Sequence, residues 1–181
     1  MKFFKGCLMT IIISFVICVI GYLIFKNHVI ANLGSLKSNV ELNWNKYVED
    51  IKERNAEFSQ QSFKNDSIRY YLENKGKFIS LTECSIELEF NEYKINQFVM
   101  TDGLVSDLNN KLNSNLNNYN QAVREYNVYR VTFPNFLIAR KTRFRNHFNY
   151  FDIRYGVNND KIMIKKKKVE NWIKNGGAFP E

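Results

Sequence analysis

The stretch that decides the fold is "NNYNQAVREYN", Asn117 to Asn127, which carries a Tyr-Asn pair twice. The pairs are Tyr119-Asn120 and Tyr126-Asn127, one heptad apart, and residues at that spacing lie on nearly the same face of a helix. None of the four side chains is an obvious acid, base or nucleophile. We therefore expect the motif to hold helices together. The tyrosine rings would be buried, and the asparagines would bridge to a neighbouring helix or to a backbone carbonyl.

Apolar residues on both sides extend this face into one long helix. Pro134 ends the pattern, because a residue before proline avoids the α-helical conformation. The chain has only two prolines and eight glycines, so long uninterrupted helices are allowed elsewhere as well. The residues that mark the face are Val105, Leu108, Leu112, Tyr119, Ala122, Tyr126, Tyr129 and Phe133.

Two more helices are predicted upstream. Six residues at alternating steps of four and three share one face of the first helix: Val40, Trp44, Tyr47, Ile51, Arg54 and Phe58. Arg54 is the odd member, and it either snorkels at the edge of the stripe or pairs with a carboxylate of a neighbouring helix. A short helix follows, with a cap at Asp66-Ser67 and an end near Gly76.

The region between these helices and the Tyr-Asn motif has two interpretations. "SLTE", Ser80 to Glu83, fits a capping box, and heptad-like spacing follows it, broken at Asn91. The spaced residues are Leu81, Cys84, Leu88, Ile95 and Phe98. "SIELEF", Ser85 to Phe90, also alternates with period two, which is typical of a strand. The cap and the longer pattern favour a helix, and Thr101-Asp102-Gly103 predicts a turn after it.

The segment "CLMTIIISFVICVIGYLIF", Cys7 to Phe25, predicts a membrane anchor. From Leu8 onward it has no charge, and a helix of that length spans about 27 Å, close to the hydrocarbon core of a bilayer. The alternative is a cleaved signal peptide, since Val29 to Ala31 ends in a small residue. The apolar run is longer than a signal peptide needs, which favours the uncleaved anchor. Two lysines flank each end of the helix (Lys2 and Lys5, Lys26 and Lys37), so the positive-inside count leaves the orientation open.

The net charge of +8 is concentrated in part in two basic clusters. "RKTRFR" at 140–145 interleaves basic and aromatic residues, and "KKKK" at 165–168 is a plain charge run. Such clusters suit an anionic lipid surface, and nucleic acid is the disfavoured alternative when a membrane anchor is present. A solvated charged loop and tail is an equally good interpretation. The candidate contact residues are Arg140, Lys141, Arg143, Arg145, Lys165, Lys166, Lys167 and Lys168.

The sequence carries few residues that suit catalysis. It has no CxxC or His-rich spacing for a metal, no Gly-rich phosphate loop and no nucleophile elbow. His28 lies beside the anchor, His147 falls in a basic and aromatic loop, and Cys84 is the one cysteine outside the membrane segment. We therefore predict no enzymatic activity, no cofactor and no metal.

The stretch from Asn117 to Ala139 resembles the C-terminal signature of the LemA family. That signature has two Tyr-Asn pairs with a Val between them, then Phe-Pro, a Leu and an Ala. The matching residues here are Tyr119, Asn120, Val123, Tyr126, Asn127, Phe133, Pro134, Leu137 and Ala139, and upstream Trp44, Ile51 and Arg54. The chain departs from the family after Arg54, where "AEFSQQSF" replaces an Asp-Leu-Ile-Pro-Asn-Leu stretch. The resemblance implies a divergent member: a bacterial, membrane-anchored helical bundle with no defined reaction.

These observations predict an all-α protein, with a transmembrane helix followed by an antiparallel bundle of three to four long helices, coiled-coil-like in its packing. The expected parts are a tail at 1–7, the anchor at 8–25, a juxtamembrane linker at 26–35, the LemA-like bundle at 36–151 and a basic tail at 152–181. We expect a single-pass protein of the bacterial cell membrane that acts as a scaffold or adaptor for an unidentified protein partner. Binding of anionic lipid or nucleic acid through the basic C-terminal segments is the alternative.

Overall fold

The computed structural model of the chain describes residues 2–61, 66–74, 84–102 and 106–176. Within these ranges the backbone forms helices and no strand, which confirms the predicted all-α class. The helices are α1 (Lys2–Ser59), α2 (Asp66–Asn74), α3 (Ile86–Asp102), α4 (Asn109–Val131), α5 (Asn135–Ala139) and α6 (Asp160–Asn175).

Helix α1 runs without a break through 58 residues, a length of about 87 Å. Residues 9–24 of this helix are exposed and mostly apolar. Among the described residues, α1 is the one helix that is long and apolar enough to cross a membrane. The linker predicted at 26–35 is instead part of this helix. Val29 and Leu33 are fully buried there, so the bundle begins only a few residues after Phe25.

The region that had two interpretations is a helix. α3 begins at Ile86, and the Ser85 hydroxyl accepts a hydrogen bond from the backbone N–H of Leu88 (3.1 Å), as an N-cap residue does. The strand considered for 85–90 is therefore wrong, and the predicted capping box at 80–83 lies outside the described residues. α2 occupies the position expected for the short helix.

Three long helices form the bundle, and α4 is antiparallel to α1. Near one end of their interface Asn32 donates to the hydroxyl of Tyr129 (3.1 Å), and near the other end Lys111 pairs with Glu53 (2.6 Å). α3 runs parallel to the second half of α1, because residue numbers rise in the same direction along both helices. Arg54 pairs with Glu92, and one turn further along both helices three apolar side chains pack together. These are Phe58, Ile95 and Val99.

An aromatic cluster fills the centre of the bundle. The Trp44 ring lies 5.0 Å from that of Tyr119, and the Tyr47 ring lies 5.5 Å from that of Phe151, measured between centroids. Edge and tilted contacts of this kind add stability beyond the burial of area. The core continues past residue 151, because Ile153 and Tyr155 are also buried. The chain from 152 onward is thus packed against the bundle before α6 begins.

The Phe-Pro sequence separates two helices. α4 ends at Val131, three residues before Pro134, and α5 starts directly after the proline. α5 turns the chain back against α1, where Ile138 and Ala139 are buried in the same core cluster as Val29. The part of α1 that directly follows the apolar run is therefore covered by the α4–α5 region.

Candidate functional site

Three asparagines on α4 form hydrogen bonds with the backbone of the segment 148–155. In each case the amide nitrogen donates to a backbone carbonyl, and the amide oxygen accepts the N–H of the same residue. Asn120 binds Phe151 in this way (2.7 and 3.0 Å). The other two pairs are Asn127 with Phe148 (2.9 and 2.9 Å) and Asn113 with Tyr155 (3.1 and 2.9 Å). We call this set of contacts the asparagine clasp.

The spacing of the clasp asparagines shows that the segment 148–155 is extended. Asn113 and Asn127 are two heptads apart, about 21 Å along a helix. The residues they bind, Tyr155 and Phe148, are seven apart in sequence, so the segment rises about 3 Å per residue, close to the value for a β-strand. Burial alternates accordingly: Phe151, Ile153 and Tyr155 are buried, whereas Asp152 and Arg154 are exposed.

Helix α3 binds the backbone of the same part of the chain from the other side. The two side chains involved, Glu89 and Asn96, are again one heptad apart. Asn96 donates to the carbonyl of Val157 (2.8 Å) and accepts the N–H of Gly156 (3.0 Å), while Glu89 accepts the N–H of Asp152 (2.9 Å). Gly156 has a φ of +78°, a conformation that side chains with a Cβ rarely adopt. The extended segment therefore takes the place of a fourth helix between α3 and α4.

The two motif tyrosines also contact this part of the chain. Tyr119 donates to the carbonyl of Asn149 (2.9 Å), and Tyr126 donates to that of Arg145 (2.5 Å). Burial raises the pKa of both phenols, and the Tyr126 ring packs edge-on against Phe148 with 4.9 Å between centroids. The Tyr-Asn motif thus bonds to the backbone of residues 145–151 rather than to a neighbouring helix.

A buried polar network links α1, α3 and the extended segment. Arg54 forms two hydrogen bonds with the Glu92 carboxylate (2.6 and 3.0 Å), and the two side chains are 2% and 0% exposed. Tyr155 donates to Glu92 (2.8 Å), and its hydroxyl lies 2.5 Å from that of Tyr47. Of the two interpretations of Arg54, the structure supports pairing with a carboxylate.

The network raises the pKa of Arg54, Tyr47 and Tyr155. Burial alone would lower the pKa of Arg54, but the Glu92 carboxylate and the neighbouring tyrosines hold that pKa above its ordinary value. Burial, together with the charge of Glu92, raises the pKa of Tyr47 and of Tyr155 well above 10.0. The arginine is therefore charged and the tyrosines neutral over the physiological range, in an interior closed to solvent.

The other residues of the LemA resemblance have structural positions. Trp44 and Val123 are fully buried, and both belong to the main core cluster. Phe133 and Pro134 lie at the surface, where the Phe133 side chain is 73% exposed. Asn113 and Glu92 were not predicted, although Asn113 continues the heptad of Asn120 and Asn127 in the sequence.

The two basic clusters lie in different places. Arg140, Lys141 and Arg143 are exposed beside α5, at the end of the bundle that is next to the apolar run of α1. The 165–168 run lies on α6, and one of its members, Lys166, bridges the buried Glu89 and the exposed Asp152. The clusters therefore do not form one surface.

A groove of about 920 Å³ opens between α1 and α4. Its apolar lining includes Leu36, Val128 and Tyr150, and Arg124 and Glu125 stand beside them. The remaining lining residues are Asn120, Gln121, Tyr129, Thr132 and Asn135. The lining of the groove combines apolar side chains with charges of both signs.

The residues that suit catalysis remain apart. His28 bonds to Asn32, and the exposed His147 offers its backbone carbonyl to Arg145. Burial, with the nearby Glu89 carboxylate, raises the pKa of the Cys84 thiol to about 12, which keeps it protonated. Among the described residues, no three His, Cys, Asp or Glu side chains are grouped to hold a metal ion.

Comparison of the chain with protein-family models, with curated proteins and with solved structures finds no match in any of the three.

Proposed function

We propose that the protein is a membrane-anchored, non-enzymatic scaffold of the LemA type, which presents one face of its bundle to a protein partner in a bacterial cell membrane. The observation that carries this proposal is the continuity of α1 from the apolar run into the core of the bundle. An α-helix is stiff over this length, so the anchor and the bundle would move as one body.

The continuous helix sets the height of the groove above the membrane. Leu36 follows Phe25 by eleven residues, which places the near end of the groove about 17 Å beyond the apolar run. A partner that is itself membrane-bound would meet the groove at a constant height and direction. Two proteins held in one membrane in this way encounter each other at a high effective concentration.

The chemistry of the groove suits a protein ligand. Val128 is 52% exposed and Tyr150 is 42% exposed, so apolar area remains open to solvent between α1 and α4. Arg124 and Glu125 at the rim supply charges of both signs for orienting a partner. An apolar centre with a polar rim is the usual anatomy of a protein interface, and an amphipathic helix or a short peptide fits a groove of this size.

The positions of the LemA-like residues support the scaffold proposal. The polar groups of Tyr119, Asn120, Tyr126 and Asn127 are all bonded to the backbone of residues 145–151. The charge of Arg54 is paired with that of Glu92 in the interior. The residues of the resemblance thus build a rigid frame around the groove, which is what a scaffold requires.

Photo-crosslinking in cells tests the proposal. p-Benzoylphenylalanine in place of Val128, inside the groove, is expected to give a discrete protein adduct in the membrane fraction. The same probe in place of Met100, which is 45% exposed on α3, is the matched control and is expected to give none. Arg124→Glu at the rim is expected to reduce the Val128 adduct.

Two outcomes contradict the scaffold proposal. One is equal adduct formation at the two probe positions, or none at either. The other is release of the protein from membranes by alkaline carbonate, which leaves integral membrane proteins in place. The first outcome rejects the groove as the partner site, and the second rejects the anchor.

A further inference from the structure

The end of the bundle next to the apolar run carries an exposed corner built around α5. Three apolar side chains there are open to solvent: Phe133 (73%), Phe136 (36%) and Leu137 (38%). Arg140, Lys141 and Arg143 follow them directly and are also exposed. We call these six residues the α5 corner.

The apolar and basic residues of the corner are interleaved rather than separate. The rings of Phe133 and Phe136 lie 6.3 Å apart, and the guanidinium carbon of Arg140 lies 6.0 Å from the centre of the Phe136 ring. Leu137 and Lys141 are four residues apart in the sequence, as Phe136 and Arg140 are. Aromatic and aliphatic groups next to cations are typical of protein surfaces that lie in the headgroup region of a membrane.

The corner lies at the level where α1 would leave the hydrocarbon. A recess of about 360 Å³ is lined by Tyr22, Lys26 and Ile30 of α1 on one side and by Lys141 and its neighbours on the other. Phe25, the last residue of the apolar run, falls in the middle of this stretch of α1. The headgroup layer is about 5–8 Å thick, or about three to five helical residues, so the recess spans that layer.

Among the residues that the structure describes, no carboxylate neutralises this end of the molecule. Positions 1–40 and 126–151 contain no Asp or Glu, yet α1, the end of α4 and the α5 corner meet there. Within the described ranges, Arg140, Lys141 and Arg143 form no ion pair. Three uncompensated cations are thus held beside exposed phenylalanine and leucine at a single height.

The lysine run on α6 lies too far from the membrane to share this role. Lys166 pairs with Asp152, which follows Phe151, and the Phe151 ring packs against Tyr47. Tyr47 is 22 residues past Phe25, about 33 Å along α1. That distance is roughly three Debye lengths at 0.1 M salt, so attraction to lipid charges at the membrane surface would be screened.

We propose that the α5 corner is a membrane-binding foot, which places its phenylalanine and leucine side chains in the headgroup layer and its three basic side chains on the phosphates of anionic lipids. The proposal rests on the proposed anchor, because the foot would touch the same leaflet from which α1 emerges. Its effect would be to hold the bundle upright, with the groove at a fixed orientation.

Nitroxide depth measurements on the full chain in liposomes test the foot. Cys7 and Cys18 are replaced by alanine and the buried Cys84 is kept, and a label is attached after Leu137→Cys, Ile17→Cys or Ile173→Cys. The position of each label is read from its collisions with oxygen and with a water-soluble nickel chelate. In bilayers that contain phosphatidylglycerol, the label at 137 is expected at headgroup depth, the label at 17 in the hydrocarbon and the label at 173 in water.

The three labels separate the two proposals. A label at 17 that meets the nickel chelate freely rejects the anchor, and the foot with it. A label at 17 in the hydrocarbon together with a label at 137 in water overturns the foot alone. Equal depth of the label at 137 in phosphatidylcholine and in phosphatidylglycerol bilayers overturns the role assigned to anionic lipid.

Charge variants supply the second readout. The triple variant Arg140→Ser, Lys141→Ser, Arg143→Ser is expected to move the label at 137 into water in anionic bilayers, as raised salt does in the parent. The matched control removes three exposed lysines of α6 by Lys165→Ser, Lys167→Ser, Lys168→Ser, and it is expected to leave the label at headgroup depth. An equal response of the two triple variants overturns the proposal.

Discussion

An asparagine side chain carries the same donor and acceptor as a peptide group, and the asparagine clasp depends on that equivalence. Asn113, Asn120 and Asn127 offer α4 a row of amide groups, one per heptad, that pairs with an extended chain as the edge of a sheet would. A heptad rises about 10.5 Å, which three to four extended residues also cover. The two periods match closely enough for all three pairs to form.

Replacement of a clasp asparagine by aspartate should destabilise the bundle. In Asn120→Asp the carboxylate keeps the shape of the amide, but it cannot donate to the Phe151 carbonyl and it repels that oxygen. Leaving one such group unsatisfied costs about 1–3 kcal/mol. We expect urea unfolding of the full chain in mild detergent, followed by near-UV circular dichroism, to show a loss of that size. The control Asn118→Asp, exposed on the same helix, should change stability by less than about 0.5 kcal/mol. Equal midpoints for the two variants would contradict the clasp.

The buried tyrosines should make the fold sensitive to alkali. Burial raises the pKa of Tyr47 and Tyr155 in the folded state well above the unfolded value of 10.0. A raised folded pKa means that the stabilisation is fully present below about pH 10 and is lost as pH rises further, because the unfolded chain then releases the proton more readily. We expect the unfolding free energy of the full chain to fall between about pH 10 and pH 11.5. Tyr155→Phe should make this fall shallower, whereas Tyr70→Phe, at an exposed site, should not. The same slope in both variants would refute the assignment.

At the scale of the elements, the helices were predictable because each carries its own periodic pattern. The faces of α1 and α4 are visible in the sequence as steps of three and four, and Pro134 marks the break between α4 and α5. The Arg54 pairing was foreseen as an option, but its partner was not. Glu92 lies 38 residues away, and no local pattern connects the two positions.

The extended segment 148–155 was assigned partly to the bundle and partly to a tail, because the three asparagines that bind its backbone lie 21 to 42 residues away. An ordinary strand can be predicted together with the strand it pairs with. This segment bonds to side chains of helices instead, so the sequence contains no second strand pattern to indicate it. Two signals were nevertheless present. Phe151, Ile153 and Tyr155 alternate with charged residues, and the asparagine heptad extends back to Asn113. Together they describe an element with one buried face.

Helix α6 should be the least firmly held of the long helices. None of its residues is fully buried, and its ties to the bundle include Lys166, which bonds to the buried Glu89. Lys166→Met leaves that carboxylate without its cation, at a cost of about 1–3 kcal/mol. Hydrogen exchange of the α6 amides in the full chain should then accelerate about ten-fold or more, with little change in α4. The control Lys167→Met removes an exposed lysine and should leave exchange in α6 as it is. Unaltered exchange in Lys166→Met would show that apolar packing alone holds α6.

At the scale of the whole molecule, structure and charge are organised along one axis. The axis is α1, which passes from the apolar run into the aromatic core. Within the part of the chain that the structure describes, no carboxylate lies at the end that holds the apolar run. Asp50, Glu89 and Glu92 lie deep in the bundle, where each meets a basic or amide partner. This segregation would let one end rest against anionic headgroups while the other remains in water.

With α1 anchored as we propose, its continuity would make the distance from the membrane to the far end of the bundle a fixed quantity. Gln60, just past the end of α1, lies 35 residues beyond Phe25, so a fluorophore attached after Gln60→Cys should stand about 50 Å from acceptors at the lipid surface. Proline costs about 3 kcal/mol or more inside a helix and kinks it. Asn27→Pro, at an exposed position before the first fully buried residue, should therefore shorten the mean distance and broaden its distribution, whereas Asn27→Ala should keep both. Time-resolved energy transfer on the full chain in liposomes measures the two quantities. An equally narrow distribution in the proline variant would mean that contacts other than α1 hold the bundle upright.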